Sequence, residues 1–348
     1  MSSARAHHPR RDIHAEITNR LIAAIEKDPG RPQMPWRRGA GPLWMPVNAE
    51  SGKPYRGINV VSLWVAAEAA GFSSPIWATY KVWSQLGAQV KKGERGSPVV
   101  FYKEYDTEPD PDDAEDDGKR RVARGYWVFN CSQVDGYAPP DAPEKLGPVE
   151  RLQRAQAFIA ATGARIAYGG AQAFYRPSTD TIHMPDEALF TGTDTMSRTE
   201  ALHAVEAHEL VHWSGARHRL GREFGKRFGD RAYCAEELVA EIGSALLCAE
   251  LDITQDVRAD HAQYLAQWLE LMKEDSRAIF TAAAQASRAV EYLEGLQPGA
   301  PSPPLAPGDG EEAAVLPHGG SQTETADPQR PPPNVARPPS PADAGGPR

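Results

Sequence analysis

Three cysteines in 348 residues, Cys131, Cys234 and Cys248, form no CxxC pair and no even-numbered disulfide framework. That scarcity fits a reducing, cytoplasmic compartment. No apolar run approaches the ~18 residues that a membrane-spanning helix needs, so a membrane partner is not expected. Arg5, Arg10 and Arg11 have no apolar stretch behind them, which does not match a secretory signal. From Pro298 to Arg348 aromatic residues are absent and 14 of 51 residues are proline. A segment of that kind cannot bury enough apolar surface to fold, so residues 297–348 are expected to be a disordered tail.

The charge is unevenly spread. The net of −9 hides residues 1–105, where 15 Lys/Arg stand against 8 Asp/Glu, followed by Asp106 to Asp117 with eight acids in twelve residues. A basic block points to an anionic partner, and an acidic run to a solvated loop, here spanning 106–120. The length allows two domains, each with its own core. Residues 1–10 read as a mobile arm and 11–136 as an α+β domain. In that domain, helices are expected near 12–25, 60–70 and 79–86 and strands at 99–102 and 125–130. The proline-dotted stretch 137–148 reads as a linker. Residues 149–296 read as a mainly helical domain with a small sheet. Its helices fall near 149–162, 198–214, 232–250 and 258–294, the last broken, and two short strands, 173–175 and 181–184, lie on either side of a turn at 177–180. The fold class is α+β.

One helix carries chemistry. Ser197 and Glu200 make a capping box, and His208, Glu209 and His212 follow as His-Glu-Leu-Val-His. Positions i and i+4 stack on a helix, so both imidazoles can reach one Zn²⁺, with Glu209 beside them as a base for a metal-activated water. Two candidates offer the third ligand. Glu237 opens Glu237-Leu238-Val239-Ala240-Glu241, similar to the glutamate zincins, in which an acid four residues on orients a ligand histidine; Glu241 would take that role. His218, through Gly215, satisfies the metzincin spacing instead, although Met272 sits in an apparent helix and not in the turn that pattern needs. Arg217, Arg219 and Arg222 suit a solvated turn around it. Glu236 lies on a face with Ala240, Gly243 and Leu247 that looks like close helix packing. Tyr233 either assists an oxyanion or packs, and His183 reads as a partly exposed strand histidine.

Six of eight tryptophans lie in the first 130 residues, among the excess cations. Trp64 fits a core position. Trp36 beside Arg37 and Arg38, and Tyr55 flanked by Lys53 and Arg56, place rings next to charges in Gly/Pro-rich loops, and Lys91-Lys92 adds a second basic loop. Rings to stack bases and cations along phosphates suit single-stranded DNA.

Taken together, Gly52-Lys53-Pro54-Tyr55-Arg56-Gly57-Ile58-Asn59, Val90-Lys91-Lys92-Gly93-Glu94, Phe129-Asn130 with Gln133, Ala173-Phe174-Tyr175 to Pro185, His208 to Gly215 and Glu236 to Glu241 resemble the ArdC-type antirestriction proteins of conjugative plasmids and other mobile elements. The resemblance spans roughly residues 10–295. It implies an N-terminal single-stranded DNA-binding domain, a C-terminal zincin-like metallopeptidase domain and a role in shielding incoming DNA from restriction. The acidic stretch and the tail lie outside it. A protein substrate is then expected for Glu209; the alternative is a non-catalytic DNA-binding protein with a structural zinc. A nuclease fits poorly, because two imidazoles and one carboxylate are not the carboxylate cluster that Mg²⁺ prefers.

Overall fold

The computed structural model describes residues 12–27, 34, 44–107, 119–140, 146–193, 196–224, 231–254 and 262–300. The arm 1–10, Trp36, Arg37, Arg38, most of the acidic run and the tail from 301 lie outside them. The first helix, α1 (Ile13–Glu26), starts where Asp12 accepts hydrogen bonds from the backbone N–H groups of His14 and Ala15 at 3.0 and 3.2 Å. Its Ile13, Ile17, Leu21, Ile22 and Ile25 face inward. β1 (Val47–Asn48), α2 (Ile58–Ala70), β2 (Ile76–Thr79), α3 (Tyr80–Gln85) and β3 (Gln89–Val90) follow, then the long pair β4 (Ser97–Asp106) and β5 (Lys119–Asn130), and β6 (Val134–Asp135). The main sheet runs β1-β2-β5-β4, parallel between β1 and β2 and antiparallel elsewhere; β3 pairs with β6.

β4 is an edge strand, and α2 closes it with side chains. Asn59 both donates to and accepts from the backbone of Val100, each at 2.8 Å, and Ser62 donates to Pro98 O. A row of backbone groups that would otherwise invite another strand is thereby satisfied. The strands β4 and β5 extend well beyond 99–102 and 125–130, with Asp106 in register with Lys119.

α4 (Pro148–Ala161) opens the second domain with proline at its first position. A small sheet in order β7-β9-β8 comes next, from β7 (Arg165–Tyr168), β8 (Phe174–Arg176) and β9 (Thr181–Met184), with β7 parallel and β8 antiparallel to β9. The helices α5 (Arg198–Ser214), α6 (Ala232–Leu251), α7 (Ala262–Glu274) and α8 (Ala278–Gly295) complete the α+β architecture. The expected final helix is two, α7 and α8. Gln297 to Ala300 belong to the folded part, not the tail: Gln297 donates to Phe158 O and Leu293 O.

The two domains share their main core, beside a small separate cluster of Ala78, Trp83, Ala88, Val90 and Val134 in the first. One continuous cluster of buried apolar side chains runs from α1 and α2 into α5, α6 and α8. Polar contacts sew the same seam: Thr18 Oγ1 donates to Ser276 O at 2.7 Å, Lys273 pairs with Glu26 at 2.6 Å, and Arg56 pairs with Glu291. Among the described residues no disulfide is present and no helix is long and apolar enough to cross a membrane.

α6 is buried along almost its whole length, as a central helix with neighbours on all sides must be. Gly243 lets it approach α5: a methyl added there would lie 2.7 Å from Val211 Cγ2. Gly243→Ala is therefore expected to overpack the interface and cost about 1–3 kcal/mol, read as a lowered urea midpoint at unchanged slope. Val211→Ala in the same chain should recover part of the loss.

Candidate metal centre

The capping box forms as the sequence demands. Ser197 Oγ accepts from Glu200 N–H at 3.2 Å, and Glu200 Oε2 accepts from Ser197 N–H at 2.9 Å, so α5 begins at Arg198. This start places His208, Glu209 and His212 in the last two turns. His208 and Glu209 are 4% and 3% exposed. Across from them, α6 brings up Glu237. The two histidine Nε2 atoms are 3.2 Å apart; Glu237 Oε2 is 3.6 Å from His208 Nε2, and its Oε1 is 3.6 Å from His212 Nε2.

Those separations fit a cation. Ligand atoms about 2.0–2.1 Å from a tetrahedral ion stand about 3.3–3.4 Å from one another, so the three donors already sit near the corners of one tetrahedron. His208, His212 and Glu237 are the only such group of three among the described residues. The fourth corner has no protein ligand in that group.

Electrostatics hold the donors ready. Burial penalises the Glu237 carboxylate, but the hydrogen bond from His208 and the charge of His212 outweigh it and keep its pKa below the ordinary carboxylate range. His212 Nδ1 lies 3.2 Å from Glu236 Oε1. Burial disfavours the His212 proton, yet the Glu236 hydrogen bond and the charges of Glu237 and Glu209 raise its pKa to about 9. Glu236 also stays ionised despite burial, through His212 and Arg222. An ionised carboxylate only accepts, so Nδ1 carries a hydrogen in either protonation state, and it is Nε2, facing Glu237, that must give up its proton to become a ligand.

Several expectations need correction here. Glu236, read from the sequence as close helix packing, is the carboxylate that faces His212; Glu241 lies one turn beyond Glu237, 1% exposed. The face bearing Glu236 does pack closely at Gly243, but Glu236 lies two turns earlier, where α5 ends and side chains fit between the helices. Arg222 and Arg219 are buried, not solvated. Arg222, its side chain 1% exposed, donates to both Glu236 oxygens at 2.7 and 3.1 Å and to Val211 O. Arg219 donates to Trp213 O at 3.0 Å and to Asp180 Oδ2 at 2.6 Å, and stacks over the Trp213 ring. Both cations thus sit on the carbonyl end of α5, where the helix dipole favours them. Gly215 has ordinary helical backbone; what it supplies is room, since a Cβ there would lie 2.5 Å from Arg222 Nη2. His218 is exposed and faces Asp180 at 3.5 Å, away from the cluster. Tyr233 is exposed beside Tyr264, their hydroxyls 3.3 Å apart, and His183 stacks on Phe174.

The proposed DNA residues are less alike than their letters suggest. Lys53 and Lys92 are exposed. Lys91 is exposed too and donates to Ser132 O at 3.0 Å. Arg56 is exposed but paired with Glu291. Tyr55 is corrected outright: it is 6% exposed, within reach of Asn48 and Trp77 O, and its ring offers no face to a base. Its neighbours Pro54 and Gly57 suggested a loop, but apolar partners from β2 and α2 cover it. Other residues in the shared motifs are structural: Gln133 donates to Glu94 at 2.8 Å and Asn130 to Ser74 O at 2.8 Å.

Residues 11–129 match the N-terminal domain of anti-restriction factor ArdC, and residues 153–285 match a zincin-like metallopeptidase family. An uncharacterised protein, y4eC, of Sinorhizobium fredii is 45% identical over 82% of this chain and 92% of its own length. A DNA primase TraC of Escherichia coli is 36% identical over 82% of this chain, which spans only 27% of that larger protein. The crystal structure of the antirestriction ArdC protein from the R388 plasmid superposes with a TM-score of 0.66 at 38% identity in its metal-free form, covering 82% of this chain and 98% of that one. Its Mn(II)-bound form gives 0.64 at 37% identity, with the same coverage. The chain belongs to the ArdC family of antirestriction proteins, with an ArdC-type N-terminal domain followed by a zincin-like metallopeptidase domain.

Proposed function

We propose that this chain is a cytoplasmic, single-stranded DNA-binding antirestriction protein whose second domain is a zinc metallopeptidase, protecting incoming mobile-element DNA. The observation that carries the enzymatic half is the convergence of His208, His212 and Glu237 with the buried Glu209 carboxylate beside them. His208, His212 and Glu237 would hold the cation. Two imidazole nitrogens and one carboxylate suit zinc, and the Mn(II)-bound relative supports a divalent ion at this fold. When bound, such an ion supplies Lewis acidity to a water or peptide carbonyl at its open position. Glu209 takes the proton from the attacking water and delivers it to the departing amine. Glu236 keeps His212 in the tautomer that presents Nε2, and Arg222 keeps Glu236 in place. Glu241, buried one turn beyond Glu237 on the same helix, would orient a ligand histidine. A purely structural site would have no use for a buried carboxylate at position 209.

In the first domain Lys53, Lys91 and Lys92 are the exposed cations for phosphates, with Arg56 available once it leaves Glu291. Trp36, Arg37 and Arg38 would add rings and charge from outside the described residues.

His208→Ala, His212→Ala and Glu237→Ala are each expected to lose bound metal, by elemental analysis of the purified protein. Glu209→Gln is expected to keep the metal and lose peptide hydrolysis. Antirestriction that survives Glu209→Gln would assign the biological role to DNA binding alone. Glu236→Gln or Arg222→Ala should weaken metal binding by about 10- to 100-fold, because the imidazole loses its orienting partner.

Metal affinity should also depend on pH. His212 must release the proton that its carboxylate neighbours hold up to about pH 9. Affinity is therefore expected to fall about tenfold per pH unit below that value and to level off above it, in a competition titration with a chelator. The raised pKa also favours the folded, metal-free chain below the ordinary 6.5 of histidine, and that contribution fades as pH climbs through 9.

Oligonucleotide affinity should fall steeply with salt. A flat dependence would contradict phosphate binding by the lysine loops.

A further inference from the structure

The sheet of the first domain leaves two large aromatic side chains in solvent on one part of its surface. Phe101 on β4 is 46% exposed and Tyr126 on β5 is 39% exposed, their rings 5.4 Å apart and nearly perpendicular. The register explains their meeting. Phe101 is directly opposite Arg124, and Tyr126 is opposite Val99, so all four side chains leave the same face of the hairpin. Toward the core this face is buried, with Val99 and Val128 at 0% and 1% exposure. Across from the buried Val99, Tyr126 is already in water, and one residue pair further out Phe101 and Arg124 are exposed as well.

The opposite face of the same strands packs in part against α1, although Tyr102 on it is 53% exposed. Gly125 leaves room for Ile13, whose Cδ1 would be 2.9 Å from an added methyl, and Tyr102 Oη lies 3.1 Å from a ring nitrogen of His14. The exposed pair is thus no leftover of α1 packing; it belongs to the face that the fold leaves open. Its surroundings are cationic by sequence. Arg124 is exposed on the same face, directly across from Phe101, and β5 begins Lys119-Arg120-Arg121, in register with Asp106, Tyr105 and Glu104. Residues 1–105 add a net +7, from 15 Lys/Arg against 8 Asp/Glu.

We propose that Phe101 and Tyr126, with Arg124, form a base-stacking platform for single-stranded DNA on the outer face of the β4–β5 hairpin. The proposal rests on the DNA-binding reading of the first domain and gives it the exposed rings that Tyr55 cannot supply. Rings at the solvent face of a sheet can accept bases only when those are free of a duplex, and a guanidinium beside them can meet a phosphate of the stacked strand. The exposed Arg124 guanidinium beside the rings favours an anionic partner over a neutral apolar one.

The test is fluorescence anisotropy of a labelled oligothymidine with the full chain, across a salt series. The Phe101→Ala/Tyr126→Ala double variant is expected to bind roughly 5- to 150-fold more weakly for each stacked base lost, with the salt slope unchanged. Arg124→Ala should weaken binding and reduce the slope by about 0.7, as one phosphate contact disappears. Phe101→Tyr/Tyr126→Phe keeps both rings and should bind like the unaltered chain, with metal content constant throughout. Equal affinity for the alanine and unaltered forms would overturn the platform while leaving DNA binding intact. So would an alanine form that changes only the oligomeric state in sedimentation, since the patch would then be a contact between copies. No binding by the unaltered chain would overturn the DNA-binding reading itself, and the platform with it.

Discussion

The close approach of α5 and α6 governs the site. Their backbones meet where Gly243 faces Val211, with no space for even a methyl group between them. Because both helices are rigid on the scale of a metal–ligand bond, that contact sets how far Glu237 stands from His208 and His212. A shift of half an ångström would pull one donor off the tetrahedron, so a packing contact away from the donors decides whether they converge. Extra volume is costly in a filled core, which makes the smallest residue a requirement at 243 and not an economy.

Gathering three carboxylates and two imidazoles between buried helices would be unfavourable without compensation. Arg222 answers much of that cost. It is nearly inaccessible to water, yet every group it meets is an acceptor: Glu236, Ser214 Oγ and the Val211 carbonyl. It neutralises Glu236 and ties off an end of α5 whose carbonyls lack intrahelical partners. The first domain contributes as well, since α1 and α2 share a core with α6 and α8. The Arg56 ion pair with Glu291 places a cation from the basic loop directly on α8. The ArdC-type domain and the zincin-like domain are therefore built on one packed unit.

Much of this was readable from the letters. The capping box at Ser197 and Glu200 fixed where α5 begins, and with it the facing of His208 and His212. Local periodicity placed α1, α2, α4 and α6 nearly to the residue. The failures share a cause, because they depend on partners distant in sequence. β2 is too short and too buried to alternate, and β7 finds its parallel partner only in β9, beyond β8 in sequence, so neither β2 nor β7 leaves a local signature. Tyr55 beside Lys53 and Arg56 looks exposed until β2 and α2 cover it. Arg219 and Arg222 look solvated because arginine generally is; only the carbonyls and carboxylates converging from α5, α6 and the β8–β9 turn make burial affordable. The Gly215 and Arg222 spacing was the one available hint that a bulky side chain crosses beneath the helix end.

X-ray absorption on the zinc-loaded full-length protein tests the central claim most directly, because it counts and identifies the atoms around the ion. The account predicts two imidazole nitrogens and one carboxylate oxygen from the protein, with one further oxygen, all about 2.0–2.1 Å from the metal. A shell containing sulfur, a third imidazole, or oxygen alone would contradict the assignment of His208, His212 and Glu237.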